Sequence, residues 1–402
     1  MKKLTSKFFR LLFYTIFSAP AILQAQQGPK NEMKGLIDDN LRIATSQYKL
    51  LAKNSPKDVM PRSYDAKKNA IITSNTKWWT SGFYPGTLLY LYEYTKDATL
   101  LQEAKNRLAI LEKEKHYTGH HDLGFMMYCS FGNAYRLLGN PEYKTTVDTA
   151  AASLSTRYRP SISAIQSWNA STNYKCPVIV DNMMNLELLC WVSDNGGDPK
   201  YKEIAVAHAN TTLKNHFRPD YSSYHVIDYD TTTGQVIKKV TRQGAADSSA
   251  WARGQGWGLY GFTMMYRFTK DAKYLTQARH IAQFILNHPN LPADKIPYWD
   301  FDAPGIPNTK RDASAGAIMA SGLLELGQYV NKKERKQYVG VAQKMLQSLS
   351  SDAYRAKPGT NGGFILLHSV GSIPANSEVD VPLTYADYYF IEALLRYRKW
   401  YL

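Results

Sequence analysis

PVIVDNMMNLELLCW, residues 177–191, sets the reading of the whole chain. A short apolar run, Val178-Ile179-Val180, ends at an acid, Asp181. Asn182 follows, and then Met183, Met184, Leu186, Leu188, Leu189 and Trp191 crowd the next turns. Apolar residues at that density predict a helix surrounded by protein rather than one with a wet face. Asp181 stands where an N-cap would stand, and capping alone accounts for an isolated Asp there. The same layout recurs along the chain, and recurrence asks for more than capping.

On both sides of this stretch the helical patterns are of two kinds. Segments with one charged face are predicted at Leu36–Ala52, Thr99–Lys113, Tyr143–Arg157, Lys200–Phe217, Ala272–Asn287 and Lys333–Ser350. Apolar segments rich in Gly and aromatics are predicted at Thr87–Tyr94, from Asp122 to Leu138, after Asp181, and at Ala250–Phe268, Asp312–Val330 and Asp380–Trp400. The first kind faces water and the second is enclosed. Met60–Asn75 reads as an irregular arm. Ser223–Thr241 alternates around a Thr-Thr-Gly turn and reads as a β-hairpin.

The predicted fold is therefore all-α: an (α/α)6 barrel of inner and outer helices, with one β-hairpin insertion near residues 223–241. In such a barrel all inner helices run the same way, so their N-termini gather at one mouth. Those starts carry Trp79, Asp122, Asp181, Arg253 with Trp257, Asp312 and Tyr385. Acids, an arginine and aromatics at one mouth suit a sugar site. The positive ends of the helix dipoles suit an anionic ligand.

The chain has 402 residues with 29 Tyr, enough for one large domain or two ordinary ones. No stretch has the composition of a linker, so residues 26–402 are taken as one domain. Residues 1–25 read as a secretory signal peptide, with Lys2, Lys3, Lys7 and Arg10 before the short apolar segment Leu11–Leu23. The expected location is periplasmic or secreted. The formal net charge is +15, and this signal carries four of those charges and no acid. A basic exported protein is suited to acidic polysaccharide fragments, although solvated outer helices account for the same charge. No basic cluster points to nucleic acid, no segment is apolar enough for a membrane, and no obligatory protein partner is evident. Three cysteines, Cys129, Cys176 and Cys190, make no disulfide framework. No spacing suits a metal, and no cofactor is expected.

Asp122 and Asp181 are the acids placed for proton transfer. Two neighbouring carboxylates repel, so one keeps its proton near neutral pH, as a general acid must. Arg253 and Trp257 are four apart and share a helix face. Arg253 suits either a ligand carboxylate or a buried structural ion pair. The glycines around them cost roughly 1 kcal/mol each relative to Ala in a helix, which implies close packing or ligand approach. His225 sits in the hairpin, where ordinary hydrogen bonding also explains it. Gln243 follows the hairpin. Gly371–Pro382, including Ser372, is a polar loop that rims the site, caps the last helix, or does both.

HHDLGF (120–125), VDNMMNLELL (180–189), SAWARGQGWGLYGF (249–262) and NSEVDVPLTYADYYF (376–390) together resemble the unsaturated glucuronyl hydrolases, glycoside hydrolase family 88. The resemblance runs from about Trp78 to Tyr397, with the motifs in the family's order. It implies an (α/α)6 barrel, no metal, and hydrolysis of lyase-made oligosaccharides that begin with a 4-deoxy-4,5-unsaturated uronic acid. By this resemblance Asp181 matches the catalytic acid/base and Asp122 the second essential acid. His225, Gln243, Arg253, Trp257, Trp79 and His121 match positions that contact the sugar, and Ser372 lies in the loop that meets it. The chain departs from many relatives at Ser249, where some carry Trp, and at Ile373, where many carry Lys in a loop that can meet substrate sulfate. The expected partner is an acidic unsaturated oligosaccharide. Other readings are an unsaturated rhamnogalacturonyl hydrolase of the same chemistry, a polysaccharide lyase, and a non-catalytic glycan-binding protein.

Overall fold

The computed structural model describes residues 29–402. The segment read as a signal peptide lies outside them. In chain order the elements are α1 (Pro29–Asn54), β1 (Met60–Asp65), β2 (Ala70–Ser74), α2 (Phe83–Thr95) and α3 (Ala98–Leu111). A π-helix, Gly124–Gly132, runs into α4 (Asn133–Leu138), and α5 (Pro141–Ser155) follows. Then come β3 (Tyr158–Arg159), β4 (Ala164–Ile165), β5 (Pro177–Ile179), α6 (Asn182–Asp194) and α7 (Lys200–Asn215). The chain continues with β6 (Val226–Tyr229), β7 (Val236–Val240), α8 (Ala252–Thr269) and α9 (Ala272–Asn287). It ends with α10 (Ala313–Leu326), α11 (Lys332–Leu349), β8 (Ser369–Ser372), β9 (Ser377–Val381) and α12 (Thr384–Tyr401).

The inner ring is α2, the π-helix with α4, α6, α8, α10 and α12. Each packs on the next, and α12 closes the ring on α2. The outer helices α1, α3, α5, α7, α9 and α11 lie against the ring, as the charged-face patterns require. All fourteen residues of α10 are buried, and α8 is buried from Ala252 through Met265. The glycines of α8 make this density possible. A Cβ on Gly261 would lie 2.5 Å from the Met183 Cβ of α6. Gly256 faces Ile318 of α10 in the same way.

Helix starts differ between the two layers. The outer helices α3, α5, α9 and α11 are capped by the side chains of Asp97, Asn140, Asp271 and Asn331. Among the inner α-helices α2, α6, α8, α10 and α12, only α10 has such a cap, from Asp312. The first N–H groups of a helix have no intrahelical partner. At the inner mouth most of them are left without a side-chain acceptor from the capping residue.

The β content corrects the expectation of a single hairpin. The hairpin is there, as β6–β7, but β5 pairs with β6 and makes it a three-stranded sheet. The supposed irregular arm is a second hairpin, β1–β2. The supposed polar loop at 371–382 is largely a third, β8–β9. The short pair β3–β4 is the remaining sheet among the described residues. These pieces are short, and three of the pairings carry register shifts. They lie outside the helical ring, and β4, β5 and β6 form a small apolar cluster of their own, with Ala164, Val178, Ile227 and Tyr229.

Candidate active site

Asp181 precedes α6 with helical backbone angles (φ −55°, ψ −29°), and its side chain makes no capping hydrogen bond. Capping therefore does not account for it. Its Oδ2 is buried without a partner. In a folded protein such an atom is rare and asks for an explanation. Three neighbouring groups share that state: His225 Nε2, Trp257 Nε1 and the Tyr385 hydroxyl. Unpaired polar groups gathered at one mouth are what a polar ligand would satisfy.

The β5–β6 pairing explains how His225 arrives. Ile179 pairs with Val226, and the Val180 N–H donates to the His225 carbonyl at 3.1 Å. The strand thus delivers His225 beside Asp181, with Nε2 3.8 Å from Oδ2. The backbone N–H groups of Arg242 and Gln243 both point at Nδ1, at 3.1 and 3.2 Å. Nδ1 is therefore the acceptor nitrogen, and the ring proton sits on Nε2. Burial, and then the nearby Arg253 charge, hold the imidazole neutral by pushing its pKa well below the ordinary value. On its Asp181 side His225 is a donor with no lone pair to offer.

Asp122 lies between two histidines. His120 Nδ1 is 3.0 Å from Oδ2, and His121 Nε2 is 3.3 Å from Oδ1. The Ser167 hydroxyl contacts His121 Nδ1 at 3.3 Å, which leaves Nε2–H to donate to Asp122. Burial opposes the charge of Asp122, but His121 and His120 overcome it and lower its pKa. Asp181 goes the other way. Burial raises it most, Arg253 pulls it down, and the charge of Asp122 raises it, to a net value of about 7. The two carboxylates are thus split into a permanent anion and a group that exchanges its proton near neutrality. Gly124 permits the close approach of their two helices, since a Cβ there would lie 2.5 Å from the Asn185 Cα.

Aromatic rings wall the mouth. Trp79 lies 4.9 Å from Tyr385 and 5.6 Å from Phe125, and Phe125 lies 5.1 Å from Trp257. Trp251, to which the sequence pattern assigns no role, stacks on His225 at 4.6 Å and carries the Arg253 guanidinium at 4.6 Å. Only the hairpin's tertiary pairing reveals this contact.

Arg253 is 1 % exposed. Its Nη1 meets Asp312 at 3.1 Å and the Val370 carbonyl, and its Nη2 donates to the Gly371 carbonyl at 2.7 Å. Of the two readings open from sequence, the buried ion pair is present. Only Nε is left without a partner. Gln243 also ties to this strand, donating to the Gly371 carbonyl at 2.9 Å. Ser372 follows on β8 and is 8 % exposed. Arg253 and Gln243 therefore seat the β8–β9 hairpin against the mouth. Arg62 of β1, also missed in the sequence, braces the other strand by pairing with Glu378 at 2.6 Å. Among the described residues no cluster of His, Cys, Asp and Glu is arranged to hold a metal ion.

The model of Glycosyl Hydrolase Family 88 matches residues 52–392. The chain belongs to this family. Within family 88 it is 47 % identical over 338 residues to an unsaturated glucuronyl hydrolase of Formosa agariphila, covering 84 % of each chain. It is 35 % identical over 336 residues to an unsaturated chondroitin disaccharide hydrolase of Streptococcus pyogenes, covering 82 % of this chain and 83 % of the relative. Among solved structures it is similar to an unsaturated glucuronyl hydrolase specific for heparin, with a TM-score of 0.88 and 47 % identity. That match covers 91 % of this chain and 98 % of the other. The family 88 fold is the (α/α)6 barrel that the alternation of helix types predicted.

Proposed function

We propose that this family 88 glycosidase removes the 4,5-unsaturated uronic acid from the non-reducing end of lyase-made acidic oligosaccharides. The observation that carries the reading is the unlike pair of acids. Asp122 is held ionised between two histidines, and Asp181 keeps its proton up to about pH 7 beside a donor, His225.

The substrate is an enol ether across C4, C5 and the ring oxygen. Protonated Asp181 delivers its proton to C4, and positive charge develops at C5 and the ring oxygen. The fixed negative charge of Asp122 stabilises that charge. Water adds at C5 and gives a proton back to the Asp181 carboxylate, which restores the acid. The C5 hemiketal then opens to a ketone, leaving C1 as a hemiacetal that expels the next sugar as an alcohol. Water is the only co-reactant. His225 carries its proton on the Asp181 side, so it orients and donates, and the base role falls to Asp181 alone. Trp79 and Trp257 bound the sugar ring. The Arg253 charge, Ser372, Gln243 and the uncapped inner helix starts favour the uronate carboxylate, while His121 acts through Asp122, to which it donates.

The test is the ultraviolet absorbance of the conjugated double bond, followed with a panel of lyase-made disaccharides from heparin, chondroitin, hyaluronan and other sources. Absorbance should fall with wild type and stay constant with Asp181→Asn. A rise on intact polysaccharide would identify a lyase instead, and constant absorbance with tight binding would identify a binding protein. The 47 % identity to a heparin-specific relative favours a heparin-derived disaccharide as the first to try.

Export is part of the same proposal. The basic and then apolar start of the chain supports it. Sequencing the N-terminus of protein recovered from outside the cytoplasm tests it. A Met1 start on protein confined to the cytoplasm would refute it.

A further inference from the structure

A second concavity lies within the barrel, away from the catalytic mouth. It has a volume of about 900 Å³. Its walls come from the inner helices and the turn that follows α10, among them Tyr128, Trp191, Tyr329 and Trp400. A layer of rings divides it from the mouth: Phe125 and Tyr389, which both line the cavity, pack on Trp257 at 5.1 and 5.4 Å. A cavity of this size in a helical barrel, aromatic and with a few oriented polar groups, is in the range of small-molecule sites.

The polar groups form one connected network. Arg267 meets Glu187 at 2.6 Å and Glu325 at 2.7 Å. Arg396 meets Glu325 at 3.1 Å and Glu392 at 2.9 Å. Two guanidinium groups therefore hold three carboxylates in fixed orientation. Apolar residues packed into the same space would serve stability as well or better, because buried charges pay heavily for lost water. The hollow and its charged lining are instead retained together. The hydroxyls add a separate sign. Tyr388 bonds to Tyr90 and Asn133, whereas the hydroxyl of the neighbouring Tyr389, which lines the cavity, makes no hydrogen bond to the described residues and opens onto the hollow. A hydroxyl that faces a hollow without an internal partner is free to meet a ligand.

We propose that this cavity is a second binding site, taking an uncharged mono- or disaccharide. Aromatic faces stack on sugar rings, and carboxylates and guanidiniums fixed in orientation match pairs of adjacent hydroxyls. With Glu93, Arg136, Arg398 and Lys399 also in the lining, four carboxylates stand against five cations; charges this nearly balanced offer an acidic uronate no concentrated positive site, so this is not a second copy of the catalytic site. Each carboxylate already has a guanidinium, so the site is not a cation trap either.

Ligand-detected NMR on the full chain, with cellobiose and N-acetylglucosamine as probes and glucuronate and glucosamine as charged controls, decides the matter. One of the uncharged probes should saturate in the millimolar range. Its affinity should fall at least tenfold in Trp191→Ala, fall in Tyr128→Phe and Tyr389→Phe, and stay unchanged in Trp79→Ala at the catalytic mouth. Trp191→Ala should keep wild-type turnover of the unsaturated disaccharide, which also reports its folding. Should that variant misfold, the two Tyr→Phe variants, which preserve packing, carry the test. The proposal is overturned if neither uncharged probe saturates by about 50 mM, if binding follows Trp79 rather than the cavity residues, or if glucosamine or glucuronate binds more tightly than both uncharged probes.

Discussion

The Nε2 atom of His225 lies 3.8 Å from Oδ2 of Asp181, and neither atom has another hydrogen-bond partner. The backbone has already chosen the tautomer of His225, so the pair is a donor facing an acid. A substrate atom placed between them would meet two proton-bearing groups below pH 7.

Asp181→Asn should therefore lower turnover by about 10²–10⁴-fold, the usual contribution of a general acid. The fold should survive, because an amide is easier to bury there than a carboxylate. Circular dichroism beside the absorbance assay checks both. Near-full turnover in a folded Asn variant would remove Asp181 from its assigned role.

The same residue sets a pH signature in stability. Its folded pKa, about 7, lies above the unfolded value near 3.9. The folded state therefore holds the extra proton between those values, and that stabilising contribution is lost as pH rises from about 4 through 7. Asp181→Asn has no such proton to lose. Urea unfolding at several pH values should show the variant gaining on wild type by a few kcal/mol across this window, roughly 1.4 kcal/mol for each pH step of one. A constant difference from pH 4 to 8 would contradict the raised pKa.

Asp122→Asn should do more than slow the reaction. The negative charge of Asp122 helps raise Asp181, so its removal should let Asp181 ionise at lower pH. The alkaline limb of kcat/KM, near pH 7 in wild type, should shift towards acid in whatever activity is left. A limb that stays in place, or moves to higher pH, would mean that Asp122 does not act on Asp181 through its charge.

Asp312→Ala tests a different link. Asp312 caps α10 through Ser314 and pairs with Arg253, and both side chains are almost fully buried. Its loss strands a buried guanidinium, at a cost of about 3–5 kcal/mol, with about 1 kcal/mol more for the cap. Urea denaturation should show the loss. An effect below 1 kcal/mol would mean that Arg253 finds another anion or water.

The helices of the ring were legible because burial leaves a periodic trace. The run after Asp181, the Gly-rich run around Arg253 and the charged outer faces each appear within a local window. So do Asp122 and Asp181, because each stands at the start of such a run. What escaped was held by contacts distant in sequence. Met60–Ser74 alternates weakly and reads as irregular until β1 and β2 are seen paired. Ser369–Val381 contains Glu378 and Asp380 in left-handed backbone conformations, which hide a hairpin behind loop-like residues. Trp251 was visible as part of a motif, but its stacking on His225 depends on where the hairpin lands. The tautomer of His225 depends on the N–H groups of Arg242 and Gln243, whose direction no sequence pattern records.

Trp79 and Tyr385 touch across the mouth at 4.9 Å, although one precedes the first helix of the ring and the other opens the last. The circle closes only when α12 meets α2, so the reaction chamber is incomplete until α12 has been made. A message cut short before α12 would yield an inert product rather than a weakened one. By the same logic, cutting the chain in an outer connection and joining its old ends by a linker would disturb no step of the ring.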